Sequence, residues 1–208
     1  MAIKSVLFDL DGVLVDSESI YTEFWSDVER HFPTGVDGFS LKIKGTTLPS
    51  ILNTYFPAEQ HPAIIAMLRE LERRMVYRLF DGVEAMLGEL KDAGYRLAIV
   101  TSSNRAKMLT VYDHIPAFVR YVDELITDED VEHSKPDPEP YLRGAERLGV
   151  SAADCAVIED SLNGLRSGRA AGAYVVGIPT TNSREDIAPL SDAVLDRIAD
   201  LPRLLASL

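Results

Sequence analysis

Four short apolar runs punctuate the chain, at residues 3–8, 97–100, 155–158 and 174–178, and each breaks off in polar residues. Runs of Val, Ile and Leu without alternation predict strands covered on both faces, as in a parallel sheet. A weaker run at 192–198 predicts a fifth strand nearer an edge. Between the runs the apolar positions change period. In "GVEAMLGELKDAG", Val83, Met86, Leu87 and Leu90 recur at helical spacing, and Gly94 stands where a helix C-terminal glycine belongs. "DPEPYLRGAERLG" predicts another helix, with Asp137 as its cap, Pro138 at the first helical position and Gly149 past its end. Residues 161–172 repeat the design with Ser161 as cap. Strand, helix and strand in alternation predict right-handed βαβ units, which bring ligands to the carboxyl ends of the strands.

One interval breaks this rhythm. Residues 16–80 are far more than a crossover needs. They carry three helical patterns, "SESIYTEFWSDVERHF", "TLPSILNTYF" and "PAIIAMLRELERRMVYRLF". The predicted class is therefore α/β, a parallel-sheet core from residues 1–15 and 81–208 with a helical domain inserted at 16–80. Tyr21, Phe24 and Trp25, at helical spacing, read as the core of that insert.

Hydrophobic residues at 46% and charged residues at 26% suit an ordered globular chain. The balance of 33 acidic against 21 basic residues, a formal charge of -12, repels nucleic acid and anionic membranes. A phosphorylated ligand must then be captured locally, against that field. Cys155 is the only cysteine, which excludes an intrachain disulfide and a cysteine metal cluster and suits a reducing compartment. The N-terminus runs straight into a strand, and no apolar run reaches membrane-spanning length, so a cytoplasmic location is expected.

The chemistry gathers at the strand ends. The first run stops in Asp9 and Asp11, the second in Thr101, Ser102 and Ser103, the third in Glu159 and Asp160, and Lys135 precedes the Asp137 helix. In a parallel sheet these converge on one edge. Carboxylates about 4 Å apart repel by roughly 4 kcal/mol per pair at an effective dielectric near 20, so such a cluster calls for a cation or protons. Oxygen-only donors select a hard ion, and Mg²⁺ shared with a phosphate is the expected occupant. Asp9 and Asp11, two apart, point to the same side of an extended chain, and Gly12 lets the backbone turn away. One can act as nucleophile while the other gives and takes a proton. The Thr101 hydroxyl, the Ser102 backbone N–H and the Lys135 ammonium suit phosphoryl oxygens, so that the group describes phosphoryl transfer through an aspartyl phosphate. An Asp-x-Asp triplet alone is weak: Asp128 and Asp130 form another, read as a solvated loop. Thr101 and Ser102 also suit the capping of a helix beginning near Asn104. The four histidines, His31, His61, His114 and His133, lack metal spacing and read as surface residues.

"FDLDGVLVDSE", "IVTSSN", "SKPDPEPY" and "VIEDSLNGLRSGRAAG" resemble, in order, the four motifs of the haloacid dehalogenase superfamily, and specifically of its phosphatases with a helical cap after the first motif. The resemblance implies a Rossmann-like core, Mg²⁺ dependence, Asp9 as nucleophile and Asp11 as general acid and base. It further implies that Asp9, the Asp11 main-chain carbonyl and Asp160 hold the metal, with Glu159 binding directly or through water, and that Thr101, Ser102 and Lys135 bind phosphate. Dehalogenases lack an aspartate where Asp11 stands, so Asp11 favours phosphate chemistry. "KGTTLPSIL" resembles the sugar-phosphate branch, in which Lys44 and Gly45 sit on a cap loop facing the site, with Ser17 as a companion at the hinge. The β-phosphoglucomutases are similar too, but they carry His where Tyr21 stands and Arg where Leu48 stands. A mutase must hold a second phosphate, so a plain phosphatase of a small sugar or polyol phosphate is the expectation and the mutase its alternative. A receiver domain that accepts phosphate without turnover gathers similar residues, but an inserted cap and a general acid speak against it.

Overall fold

The computed structural model describes residues 3–208. Its strands are β1 Ser5–Phe8, β2 Arg96–Val100, β3 Glu124–Ile126, β4 Cys155–Glu159, β5 Tyr174–Gly177 and β6 Ala193–Val194, forming a six-stranded sheet ordered β3-β2-β1-β4-β5-β6. Every pairing is parallel. The expected α/β class and Rossmann-like sheet are thus present. Val6 and Phe8 pack with Leu97, Ile99 and Leu87 on one face, while Leu7 packs with Val100 and Tyr141 on the other. Such covering of both faces is what the unalternated apolar runs require. Phe8 stands opposite Ile99 of β2 and Ile158 of β4. This register delivers Asp9, Thr101 and Asp160 to one edge of the sheet. β3 had no apolar run to announce it, since its three residues include Glu124 and follow Asp123. The run at 192–198 contributes only Ala193 and Val194 to the sheet.

Residues 16–80 supply α1 Glu18–His31, α2 Phe39–Lys42, α3 Leu48–Tyr55 and α4 His61–Arg74. These helices gather their own core from Phe24, Trp25, Phe39, Ile51 and Ile64. Trp25 meets Phe24 at 5.1 Å and Phe39 at 5.9 Å between ring centroids, both edge to face, the arrangement that ring quadrupoles favour. Tyr21 packs against both this cluster and the sheet's, and so lies at the junction. The helical pattern expected to run to residue 80 stops at Arg74 instead. Beyond it Met75 and Tyr77 are buried while Val76 and Arg78 are exposed, a period of two that suits extended chain. The returning chain lies along the outgoing one, with Asp16 N–H donating to Arg78 O at 3.0 Å and Phe80 N–H to Leu14 O at 3.1 Å.

The core helices are α5 Val83–Asp92, α6 Arg105–His114, α7 Ala117–Tyr121, α8 Glu139–Arg147 and α9 Leu162–Ala170. Ser161 caps α9 by accepting from Gly164 N–H. Asp137 accepts from Glu139 N–H at 2.9 Å, and the helix begins one residue after the expected Pro138. Asn104, rather than Thr101 or Ser102, caps α6. Asp128 and Asp130 form a short 3₁₀ turn rather than a solvated loop. Asp130 is held by Thr127, Arg105 and Arg147, because its carboxylate caps the turn that follows β3. His114 is exposed, as expected, and accepts from Tyr77 N–H beside the Tyr77 ring. Among the described residues no helix is long and apolar enough to cross a membrane.

Candidate active site

The loop after β1 turns tightly at Gly12, whose φ is 84°. A Cβ there would fall 2.0 Å from Asp160 Oδ2, so only glycine lets the loop lie against the end of β4. Asp9 is buried and accepts from Lys135 Nζ at 2.6 Å through Oδ1. Burial drives the Asp9 carboxyl up to about 7, against the opposing pull of Lys135. Lys135 is itself buried, bonded to Val100 O at 3.0 Å and Glu159 Oε1 at 2.7 Å. Burial acts to lower its affinity for the proton, but Asp9 and Glu159 outweigh that effect and hold the ammonium well above the ordinary lysine range.

Glu159 is fully buried, with both oxygens engaged. Oε1 accepts from Lys135 and from Tyr141 OH at 2.8 Å; Oε2 accepts from the Asp160 and Ser161 amides at 3.0 Å and from Ser161 Oγ at 2.9 Å. Gly164 leaves room for this carboxylate, since a Cβ there would lie 1.7 Å from Oε1. Asp160 is buried and held by Thr180 and Thr181 hydroxyls on its side chain and by Asn182 on its carbonyl. Burial, with Glu159 and Asp9 nearby, raises its carboxyl well above the usual range. Oxygens of Asp9, Glu159 and Asp160 come within 4.8 Å of one another. That oxygen-only set fits a hard divalent cation, Mg²⁺ included. With Glu159 committed to five donors, Asp9 and Asp160 are the carboxylates whose oxygens are less fully engaged.

Asp11 carries a different set of partners. Oδ1 accepts from Ser17 Oγ, and Oδ2 accepts from Lys107 Nζ at 2.6 Å and Ser103 Oγ at 3.2 Å. Burial pushes its carboxyl upward, but Lys107 and these hydrogen bonds together hold it below the ordinary aspartate value. The Lys107 ammonium also lies 4.3 Å from the centroid of the Tyr21 ring, a cation–π distance. Tyr21 OH donates to Glu72 Oε1 at 3.2 Å and lies 3.3 Å from Tyr77 OH. Burial raises both the Tyr21 phenol and the Glu72 carboxyl.

The helical insert closes over this edge. Ser102 Oγ donates to Gly45 O at 2.8 Å, and Asn163 Nδ2 donates to Lys44 O at 2.9 Å and Thr46 Oγ1 at 3.3 Å. Gly45 has φ 75°, and a Cβ on it would lie 2.6 Å from Ser161 Oγ. Lys44 turns back into the insert, paired with Glu18 and bonded to Thr22 Oγ1 at 2.8 Å. Burial pulls the Lys44 ammonium down to about 8, although Asp160 and Asp11 oppose it. The cleft here, about 120 Å³, is lined by Asp9, Asp11, Thr101, Ser102, Lys44, Gly45, Tyr21 and Asp160 among others.

The expected residues Asp9, Asp11, Thr101, Ser102, Lys135, Glu159 and Asp160 therefore meet at one edge, with Ser17, Tyr21 and Gly45 against them, while the Lys44 ammonium, expected to face the site, is turned to Glu18 and Thr22 instead. Lys107, Glu72, Tyr141, Thr180 and Thr181 went unread in the sequence. A lysine in the first turn of a helix opposes the dipole, which is the one local sign that Lys107 is held there for a reason. Thr180 and Thr181 follow β5, and extending the strand-end reading to that strand reaches them.

A family model described as haloacid dehalogenase-like hydrolase matches residues 6–178. Hexitol phosphatase A from Escherichia coli is 32% identical over 86% of this chain and 84% of its own length. A β-phosphoglucomutase from Mycobacterium bovis is 30% identical over 96% of the chain and 91% of its own length. The chain spans only 54% of the bifunctional riboflavin kinase/FMN phosphatase of Arabidopsis thaliana, to which it is 26% identical. Among solved structures, a HAD family hydrolase from Deinococcus radiodurans R1 with bound phosphate and sodium superposes with a TM-score of 0.75 at 26% identity, covering 99% of this chain and 96% of that one.

Proposed function

The chain belongs to the haloacid dehalogenase-like hydrolase family and is a phosphoric monoester hydrolase, and we propose that it hydrolyses a small phosphorylated metabolite through a phospho-Asp9 intermediate, with Mg²⁺ as its metal. The observation that carries this reading is the division of labour between two carboxylates two residues apart. Asp9 has one oxygen tied to Lys135 and the other unbonded among the described residues, as a nucleophile requires. Asp11 is held in place by Ser17, Ser103 and Lys107, and because these contacts favour its carboxylate form, substrate has to loosen the Lys107 pair before Asp11 carries a proton.

Asp9 attacks phosphorus, the bond to the departing oxygen breaks, and Asp11 delivers its proton to that oxygen. Asp11 then takes a proton from water as the water oxygen attacks phosphorus, releasing phosphate and restoring Asp9. Thr101, the Ser102 amide and Lys135 hold the phosphoryl oxygens. Asp9, Asp160 and the Asp11 carbonyl would hold the metal, which would supply positive charge against the negative charge gathered there; Glu159 orients Lys135 and the Asp160 loop. The helices of residues 16–80 act as a cap on the core of residues 1–15 and 81–208, moving about the paired segments near Asp16 and Asp81 to admit substrate and exclude water.

Likeness to hexitol phosphatase A supports a sugar or polyol phosphate as substrate, and likeness to the mycobacterial enzyme supports the mutase alternative. Leu48 and Tyr21 line the cleft where mutases carry Arg and His, so hydrolysis is the favoured reading. The test is release of p-nitrophenol from p-nitrophenyl phosphate with Mg²⁺ by wild type and Asp9→Asn. Activity confined to wild type is expected; undiminished activity in the variant reassigns the nucleophile.

A further inference from the structure

The phosphate end of the cleft lies at Asp9 and Thr101, and the end that receives the rest of the substrate has no cation to spare. Two ammonium groups line that outer half, Lys44 and Lys107, and no arginine does among the described residues. Lys44 is spent on Glu18 and Thr22, and Lys107 on Asp11 and Ser103 with its remaining side against the Tyr21 ring. The other charged groups there are acidic. Glu72 accepts from Tyr21, and Asp128 turns a buried Oδ1 with no hydrogen-bond partner among the described residues. Burial and the neighbouring Glu129 push Asp128 up to about 7, yet neither protonation state of these carboxyls supplies positive charge. Trp25, Leu48 and Ile51 close the far wall with apolar surface.

We propose that this cleft selects phosphomonoesters whose alcohol portion carries no second anionic group, because both of its ammonium groups are already paired and its remaining charged lining, Glu72 and Asp128, is acidic. A carboxylate or second phosphate entering here has to break the Lys44–Glu18 or Lys107–Asp11 pair or sit unpaired near like charge. Hydroxyl groups meet no such obstacle, since they bring no charge and a carboxyl such as Glu72 is able to accept hydrogen bonds from them. The proposal rests on the phosphomonoesterase reading and narrows its substrate class to monophosphates of uncharged alcohols, which leaves bisphosphates and phosphorylated carboxylic acids outside it.

Two matched pairs test this: glycerol 3-phosphate against 3-phosphoglycerate, and fructose 6-phosphate against fructose 1,6-bisphosphate. Calorimetric titration of Asp9→Asn with Mg²⁺ reads affinity without turnover, and kcat/KM of the wild type on the same pairs provides a second measure should the variant not fold. The member without a second anionic group is expected to bind about tenfold or more tightly in each pair, and Glu72→Gln is expected to narrow that ratio. Equal affinities, no measurable binding of either member, or preference for the charged member overturns the proposal. Loss of Asp9-dependent p-nitrophenol release sinks the hydrolase reading instead, and the order of affinities remains readable in that case.

Discussion

Lys107 Nζ stands 2.6 Å from Asp11 Oδ2, joining the first turn of α6 to the loop that follows β1 across 96 residues of sequence. The lysine side chain is 4% exposed, so the pair operates away from bulk water, where each charge depends on the other. Removing the ammonium while keeping the volume, as in Lys107→Met, leaves Asp11 without its main orienting partner. With Asp11 as proton donor, kcat/KM on an alkyl phosphate is expected to fall roughly 10²-fold, within the range general acid catalysis supplies. p-Nitrophenyl phosphate, whose leaving group needs little protonation, should lose much less. Equal losses on both substrates count against a role for Lys107 in placing Asp11.

Glu159 separates a metal-binding role from a structural one. Glu159→Gln turns one acceptor oxygen into a donor that faces Lys135 and Tyr141, or the Asp160 and Ser161 amides. A loss of about 2–5 kcal/mol in urea denaturation is expected, because a buried charge pair is broken and donors confront each other. The same loss should appear with and without Mg²⁺. A variant of unchanged stability whose Mg²⁺ requirement alone rises assigns Glu159 to the metal.

Asn163 fastens the cap. Its side-chain amide reaches Lys44 O and Thr46 Oγ1 from the core helix α9. Asn163→Ala removes these bonds, at about 1 kcal/mol each, from the closed arrangement. KM is expected to rise several-fold with little change in melting temperature, since the three hydrophobic clusters are untouched. A drop in melting temperature with KM unchanged makes the contact structural.

Asp130 sets an acid limit on the turn after β3. Burial works to raise its carboxyl, but bonds from Thr127 and the charge and bonds of Arg147 prevail and hold it below the usual value. A folded value below the unfolded one, about 3.9, adds stability above that pH, and the contribution disappears as pH falls through the folded value. Asp130→Ala should therefore destabilise at pH 7 by roughly 1–3 kcal/mol. Its deficit should shrink as the pH is taken below about 4. A deficit independent of pH removes the charge from the explanation.

The core and the gathering of Asp9, Thr101 and Asp160 at one sheet edge were legible because their signals are local. Unalternated apolar runs mark strands buried on both faces, and in a parallel sheet the residues just beyond them share one edge, so Asp9, Thr101 and Asp160 could be brought together without knowing the intervening path. The end of α4 was less legible: Met75 and Tyr77 follow Arg74 in a period-two stretch too short to distinguish from a fraying helix until the outgoing strand segment at Val15 supplies its partner. β3 failed for the same reason, since three residues beside Asp123 become strand only through their pairing with β2.

What the sequence determined by itself was the buried strands of the sheet, the helical stretch between residues 16 and 80, and the placing of Asp9 and Asp11 at the end of β1. Tertiary structure alone decided how the charges are paired: Lys107 with Asp11, Lys44 with Glu18 rather than with the open cleft, and Glu159 with five donors. The physical reason is that strand and helix periods follow from neighbours along the chain, whereas a buried charge settles on whichever opposite charge or donor the packed fold brings within about 3 Å of it.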